Sequence, residues 1–185
     1  QTVLSPQDSI PENISHPFDD AALFGFPADS FLDMTDVMYS VFPDYNYYIG
    51  TGRSTWAAGG IIAIAEDLAL WGYELYDEDG NAVTSSVRSI LKASAPGDGD
   101  YGYGVSHDEF TYDDGTAGEK YGHGGSAPGY KTLLRYEESE HISVAIMTNT
   151  NNIADTTSTS TDTDLGLVDR EALADALLNA YKNNH

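Results

Sequence analysis

Apolar and polar positions follow two different periods along this chain. Over 60–75 the apolar residues Ile62, Ala65, Leu68, Ala69 and Trp71 recur at helical spacing, opened by Gly59-Gly60 and closed by the acidic turn Asp77-Glu78-Asp79-Gly80-Asn81. Thr84-Ser85-Ser86 is a cluster of N-cap residues ahead of a short helix over 87–93. From about 100 onward the period shortens to that of a strand. The glycine-rich segment 101–105 and the segments 109–112, 120–125 and 131–136 read as strands. Over 141–149 the β-branched Ile142, Val144 and Ile146 alternate with smaller residues, and Glu137-Glu138-Ser139-Glu140 is a polar hairpin turn before them. The last pattern, 169–181, sets Leu173, Leu177, Leu178 and Tyr181 on one helical face, with Asp169 in the capping position. Helices, then a meander, then a closing helix is an α+β pattern: an antiparallel sheet with flanking helices. No internal repeat is visible.

A chain of 185 residues suits one domain rather than two. Within it, 1–50 reads as an irregular wrap or lid, 51–149 as helices and the meander, 150–168 as a polar loop and 169–182 as the C-terminal helix. Pro6, Pro11, Pro17, Pro27 and Pro43 break any long helix in the first segment, and aromatics such as Phe18, Phe31 and Tyr47 can pin it to a core. Hydrophobic residues make up 41 %, the range of a folded protein.

Charge changes the picture most. Thirty Asp and Glu stand against eight Lys and Arg, a formal net charge of −22. Such a surface repels phosphates, so nucleic acid is excluded as a partner. The same excess fits either a salt-adapted source or an acidic extracytoplasmic protein, secreted or periplasmic. There are no cysteines, which removes disulfides and thiolate metal sites. No apolar run approaches the roughly 18–20 residues of a membrane span. The opening Gln1-Thr2-Val3-Leu4-Ser5-Pro6 has neither the basic region nor the apolar stretch of a signal peptide, and it lacks Met, so the expectation is that something precedes it.

Chemistry concentrates in Tyr121-Gly122-His123-Gly124-Gly125-Ser126-Ala127-Pro128-Gly129-Tyr130. A strand stripped of side chains by glycine lets another group approach its backbone, and His123 puts an imidazole beside that approach. On composition alone, a glycine-rich hairpin with one exposed histidine accounts for it. Elsewhere His16, His107, His141 and His185 have no metal-ligand spacing. In the acidic turn Gly80 is fourth rather than sixth, which argues against a calcium loop. His107-Asp108-Glu109 is similar to the start of a deaminase zinc box, but such sites need cysteines. Asp67 suits a helix cap or a core anchor better than an acid catalyst. Neither metal nor cofactor is expected. Asn13-Ile14-Ser15 is a glycosylation sequon.

Read in order, the chain carries Ser54-Thr55-Trp56-Ala57-Ala58-Gly59-Gly60, Ala65-Glu66-Asp67-Leu68-Ala69-Leu70-Trp71, Tyr101-Gly102-Tyr103-Gly104-Val105, Gly122-His123-Gly124-Gly125-Ser126 with Pro128-Gly129-Tyr130, and Ile142-Ser143-Val144-Ala145-Ile146-Met147-Thr148-Asn149. This succession resembles the C-terminal half of serine β-lactamase-like hydrolases, the superfamily of penicillin-binding proteins, class C β-lactamases, DD-carboxypeptidases and related esterases. The resemblance covers 50–182 well and 1–50 loosely, so the chain is expected to be a partial domain: the α/β portion of that fold without the helical, nucleophile-bearing half. In the family a Ser-x-x-Lys supplies the nucleophile, a Tyr-x-Asn comes from the helical region, and a Lys- or His-initiated box ending in Gly closes the site. His123-Gly124-Gly125 is similar to the third box. The resemblance then implies that His123 tunes proton transfer or meets an anionic group, that the backbone N–H of Ser126 is half of the oxyanion hole, and that Gly124, Gly125 and Tyr130 line the binding edge.

Gly124 stands where the family's peptidases and β-lactamases carry a hydroxyl residue. That removes a hydrogen bond to a substrate carboxylate and tilts the reading toward an esterase or D-amino-acid amidase. Ser89-Ile90-Leu91-Lys92 fits Ser-x-x-Lys in letters, but it falls where the family has an ordinary surface helix. Tyr45-Asn46-Tyr47 is a poor Tyr box. Both boxes are therefore expected upstream of Gln1. The expectation is an acyl-enzyme hydrolase acting on a small ester, β-lactam or D-amino-acid peptide. It would be inactive without an N-terminal polypeptide that brings the nucleophile, or would self-associate to cover its apolar surface. The rival is a non-catalytic relative that binds a peptide or a cell-wall fragment.

Overall fold

The computed structural model describes residues 3–4, 18–20, 31–33, 58–127, 129–151 and 169–185. The chain divides into two compact units. One comprises 65–124, 133–146 and 169–185; the other comprises 1–64, 125–132 and 147–168.

The first unit holds the helices and most of the main sheet. Helix α1 is Ala65–Tyr76, α2 is Ser85–Ala93 and α3 is Arg170–Lys182. The sheet strands are Ser106–Thr111, Ala117–Ala127, Tyr130–Glu137 and Ile142–Thr148. With the short strands of the other unit counted in chain order, these four are β5 to β8. They lie in the order β5-β6-β7-β8, so sequence neighbours are sheet neighbours, as a meander requires. The α+β sheet with flanking helices expected from the sequence is therefore present.

Alternation along β7 sorts the core into two faces. Leu133 turns to α3 and joins Tyr112, Val144, Ile146, Ala174 and Leu178 in one apolar cluster. Tyr136 turns the other way and joins Tyr76, Val105 and Tyr121, with Leu91 against them. Polar residues obey the same parity. Arg135 bonds the Glu171 carboxylate on α3, while Leu134 lies against Gly72 of α1, where a Cβ would collide with it.

Both capping expectations hold. The Thr84 hydroxyl accepts from the Val87 N–H, and Asp169 accepts from the N–H groups of Glu171 and Ala172 at 3.0 and 3.1 Å. The far end of α1 is closed by a residue that periodicity does not reveal. Arg88 of α2 is buried and donates to the carbonyls of Leu75 at 3.0 Å and Gly80 at 2.6 Å, satisfying acceptors that a helix end leaves bare.

Three sequence expectations need correction. The helix expected over 60–75 begins at Ala65, because Ile61–Ile62 pairs antiparallel with Val3–Leu4; β-branched side chains suit that conformation. Segment 101–105 is a tight loop, not a strand. It keeps one bridge, Tyr101 to Ser106, and is folded by a Gly102 N–H to Val105 carbonyl bond of 2.8 Å with Gly104 at φ +75°. On α3 the buried residues are Ala174 and Leu178, whereas Leu173, Leu177 and Tyr181 are exposed. The small Ala174 turns toward the sheet, which rotates the leucine stripe away from it.

In the second unit, β1 (Val3–Leu4) pairs with β4 (Ile61–Ile62). β2 (Phe18–Asp20) lies between β3 (Phe31–Asp33) and β9 (Thr150–Asn151), antiparallel to the first and parallel to the second. Strands thus occur inside the 1–50 segment that reads as irregular. Its role as a wrap or lid, the Asn13 sequon, Tyr45-Asn46-Tyr47, His16, Ser54 to Ala57, Pro128 and the polar loop beyond Asn151 lie outside the described residues.

Candidate active site

The glycine-rich strand β6 is built by close approach. A Cβ at Gly122 would run into the Leu134 carbonyl of the neighbouring strand, and one at Gly125 would strike the Thr132 hydroxyl. Gly122 is thus required by packing, whatever else the strand does, whereas a side chain at Gly125 would need only the Thr132 hydroxyl to turn away. β5 flanks β6 from Ala117 to Gly122, the last pair being Ser106 with Gly122. His123 comes immediately after this pairing ends, and it is exposed.

His123 has the parity of Tyr121, so it projects from the α1 and α2 face. Its Nε2 lies 2.8 Å from the Tyr101 hydroxyl, and its Nδ1 contacts the Gly124 carbonyl oxygen. The Tyr101 ring meets the imidazole edge-on, centroids 5.6 Å apart at 64°. Gly124 is exposed. In the other unit, Ser126 is exposed near the end of β6, and Tyr130 is half-buried at the start of β7. The Tyr101 contact was not legible in the sequence, since 22 residues separate the partners. The alternating Tyr-Gly motif was its only trace.

In Ser89-Ile90-Leu91-Lys92 the two polar side chains have separate partners. The Ser89 hydroxyl donates to the Ser85 carbonyl within its own helix. The Lys92 ammonium pairs with Glu138 at 2.6 Å and lies over the rings of Tyr121 and Tyr136. A Tyr-x-Asn does occur in letters, contrary to expectation, at Tyr181-Lys182-Asn183. It sits on the last turn of α3, where Asn183 is the C-cap, Tyr181 stacks on His185 and Lys182 pairs with Glu140 at 3.1 Å.

The other histidines among the described residues have structural partners. His107 is buried, stacks on Tyr121 with centroids 4.6 Å apart, and has Nδ1 3.0 Å from the Ala95 carbonyl. His141 bonds Asp77 at 2.8 Å. Asp77 is 1 % exposed and also accepts from the Tyr136 hydroxyl at 2.7 Å and the Asp79 N–H at 2.8 Å, so the acidic turn is an anchor. Asp67, with Glu66, sits in the first turn of α1, where a negative charge complements the helix dipole. Among the described residues no group of three His, Asp or Glu is placed to hold a metal ion, and no helix is long and apolar enough to cross a membrane.

Comparison with known proteins points one way. The family model described as Beta-lactamase matches residues 11–166. Among solved structures, the chain is similar to a D-stereospecific amidohydrolase from Streptomyces sp., with a TM-score of 0.55 and 20 % identity. That match covers 80 % of this chain and 39 % of the other, so the chain spans about two fifths of that protein's length. No curated protein matches.

Proposed function

The chain belongs to the β-lactamase family, within the β-lactamase-like serine hydrolases, and from that premise we propose that it supplies the sheet wall of an acyl-transfer site. The observation that carries this reading is the course of β6: it outruns β5 at Gly122, and His123 stands exposed just beyond.

Backbone direction supports the role given to Ser126. The Tyr112 N–H donates to the Thr116 carbonyl at 2.8 Å, while the N–H of His107 donates away from β6, to Asp100. The pair Ser106 and Gly122 therefore faces inward, and Gly122 turns its N–H toward β5. By strand alternation the Ser126 N–H follows Gly122, toward the edge that β5 leaves. A fixed N–H at such an edge is what a developing oxyanion requires. His123 serves as the acid–base group of this wall. Gly124 offers no hydroxyl for a substrate carboxylate, which favours a small ester or a D-amino-acid amide over a β-lactam or a peptide with a free C-terminus.

The nucleophile comes, in this reading, from a polypeptide carrying Ser-x-x-Lys outside these 185 residues, because Ser89 and Lys92 are engaged elsewhere. Two measurements test it. Intact mass after treating the 185-residue chain with a fluorophosphonate should show no adduct; labelling of Ser89 would overturn the assignment. In the protein that carries the nucleophile, Ser126→Pro deletes the donor and should lower kcat by on the order of 100- to 1,000-fold. Ser126→Ala keeps the donor and should change little. Equal turnover with Pro and Ser at this position would remove the oxyanion role.

A further inference from the structure

The contact between Tyr101 and His123 fixes more than a distance. The Nδ1 of His123 faces the carbonyl oxygen of Gly124, which has no proton to give, so the contact is a hydrogen bond only when Nδ1 carries the hydrogen. A neutral imidazole has one ring proton. Nε2 is then an acceptor, and the Tyr101 hydroxyl, 2.8 Å away, is its donor. Tyr101 is itself held in place although 62 % exposed. Its backbone bridges to Ser106, and the next residues are tied down by a Tyr103 N–H to Ser94 hydroxyl bond of 2.9 Å. Val105, at 1 % exposure, anchors the end of the loop in the core. Gly102 cannot be replaced without collision, because a Cβ there would enter the Ser94 side chain. The Tyr101 ring also lines an open groove of about 510 Å³, with Ile90 and Ala93 of α2 along it.

We infer that Tyr101 is the positioning residue for His123: its hydroxyl holds the imidazole as the Nδ1–H tautomer and aims Nε2 at the phenol rather than at solvent. Proton exchange between His123 and a solute in the groove then passes through the Tyr101 oxygen. When a bound O–H or N–H gives its proton to that oxygen, the phenolic proton moves to Nε2. The solute becomes an anion, Tyr101 ends neutral and His123 ends as imidazolium, so protons and charge balance. The tautomer stands on geometry alone; only the use of the proton rests on the acyl-transfer reading.

Nitrogen-15 NMR of the histidine-labelled 185-residue chain tests this without any turnover, so its outcome is independent of the hydrolase reading. His123→Asn identifies the signal. In mildly alkaline solution, His123 should show a protonated Nδ1 and a bare, hydrogen-bonded Nε2, whereas an unconstrained histidine favours the Nε2–H form. Tyr101→Phe keeps the ring and removes the donor; the signal should shift toward the Nε2–H form. The inference is overturned if the wild-type chain itself shows Nε2–H, a result that needs no variant to fold. It is equally overturned if the folded Tyr101→Phe chain keeps the wild-type pattern.

Discussion

At the scale of single residues, the clearest determinant is Asp77, a carboxylate with 1 % exposure at the end of α1. Burial alone pushes its pKa up. The Tyr136 hydroxyl, the Asp79 N–H and the His141 imidazole outweigh that, so its pKa falls below the usual carboxylate value. The partners respond in the opposite sense. Burial and then the bond to Asp77 hold the Tyr136 phenol far above its ordinary range, and the bond to Asp77 raises His141. Asp77→Ala leaves the buried Tyr136 hydroxyl without its acceptor, while Asp79 and His141 stay open to water, and should cost about 1–3 kcal/mol, read from the urea midpoint. Tyr136→Phe, which removes one donor and leaves the carboxylate with two, should cost about 1 kcal/mol. The pH dependence has a definite sign. A raised His141 adds stability that is fully present below its unfolded value, about 6.5, and is lost as pH rises through the folded value. A lowered Asp77 adds stability present above about 3.9 and lost as pH falls through the folded value. The gap in urea midpoint between wild type and His141→Gln should therefore be widest in mildly acidic solution and close on the alkaline side. A gap that widens with pH would contradict the assignment of the pair.

At the scale of elements, what the sequence disclosed was local and what it concealed was long-range. Thr84 and Asp169 were legible as caps because a cap and its target lie two or three residues apart. The strand expected over 131–136 is found as Tyr130–Glu137. The loop at 101–105 misread as a strand because Tyr-Gly alternation mimics the strand period, while the bonds that fold it run to Ser94 and within the turn. The α3 leucines misled because they set a stripe without saying which element covers it. The His123 strand was legible as a glycine-rich box, but its Tyr101 partner was not. Arg88 is the sharpest case. In the sequence it is one charge in a short amphipathic helix, yet it closes α1 from 13 residues beyond Leu75. Arg88→Met keeps the length of the side chain and removes the donors. It should cost roughly 2–3 kcal/mol, and hydrogen exchange should accelerate first at the Gly80 turn and the last turn of α1. Loss of protection at α3 alone would show that Arg88 does not act as the closing group.

At the scale of the whole molecule, electrostatics is dominated by scarcity of cations. Eight Lys and Arg serve thirty acids, and several of them are shared. Lys120 reaches Asp175 at 2.5 Å and Glu171 at 3.9 Å, Arg135 reaches Asp108 at 3.2 Å as well as Glu171, and Lys182 reaches Glu140 and Asp114 at 3.1 and 3.8 Å. Salt acts on this arrangement in two opposing ways. It weakens the pairs, but the cationic ends of Lys120 and Arg135 are only 5 and 7 % exposed, and screening reaches buried partners least. It also weakens repulsion among the carboxylates left over from a net charge of −22, which are spread over larger distances. That repulsion is long-ranged at low salt and is cut off as the screening length falls from about 10 Å at 0.1 M to about 3 Å at 1 M. The second effect should win, and Tm should rise by roughly 2–4 °C between low salt and molar chloride, equivalent to about 1 kcal/mol. Sodium and potassium chloride should give the same curve, since screening depends on ionic strength rather than on the ion. A Tm that stays flat or falls would mean that the shared pairs, not the surplus acid, govern stability. A rise with one cation alone would instead point to specific binding among the carboxylates.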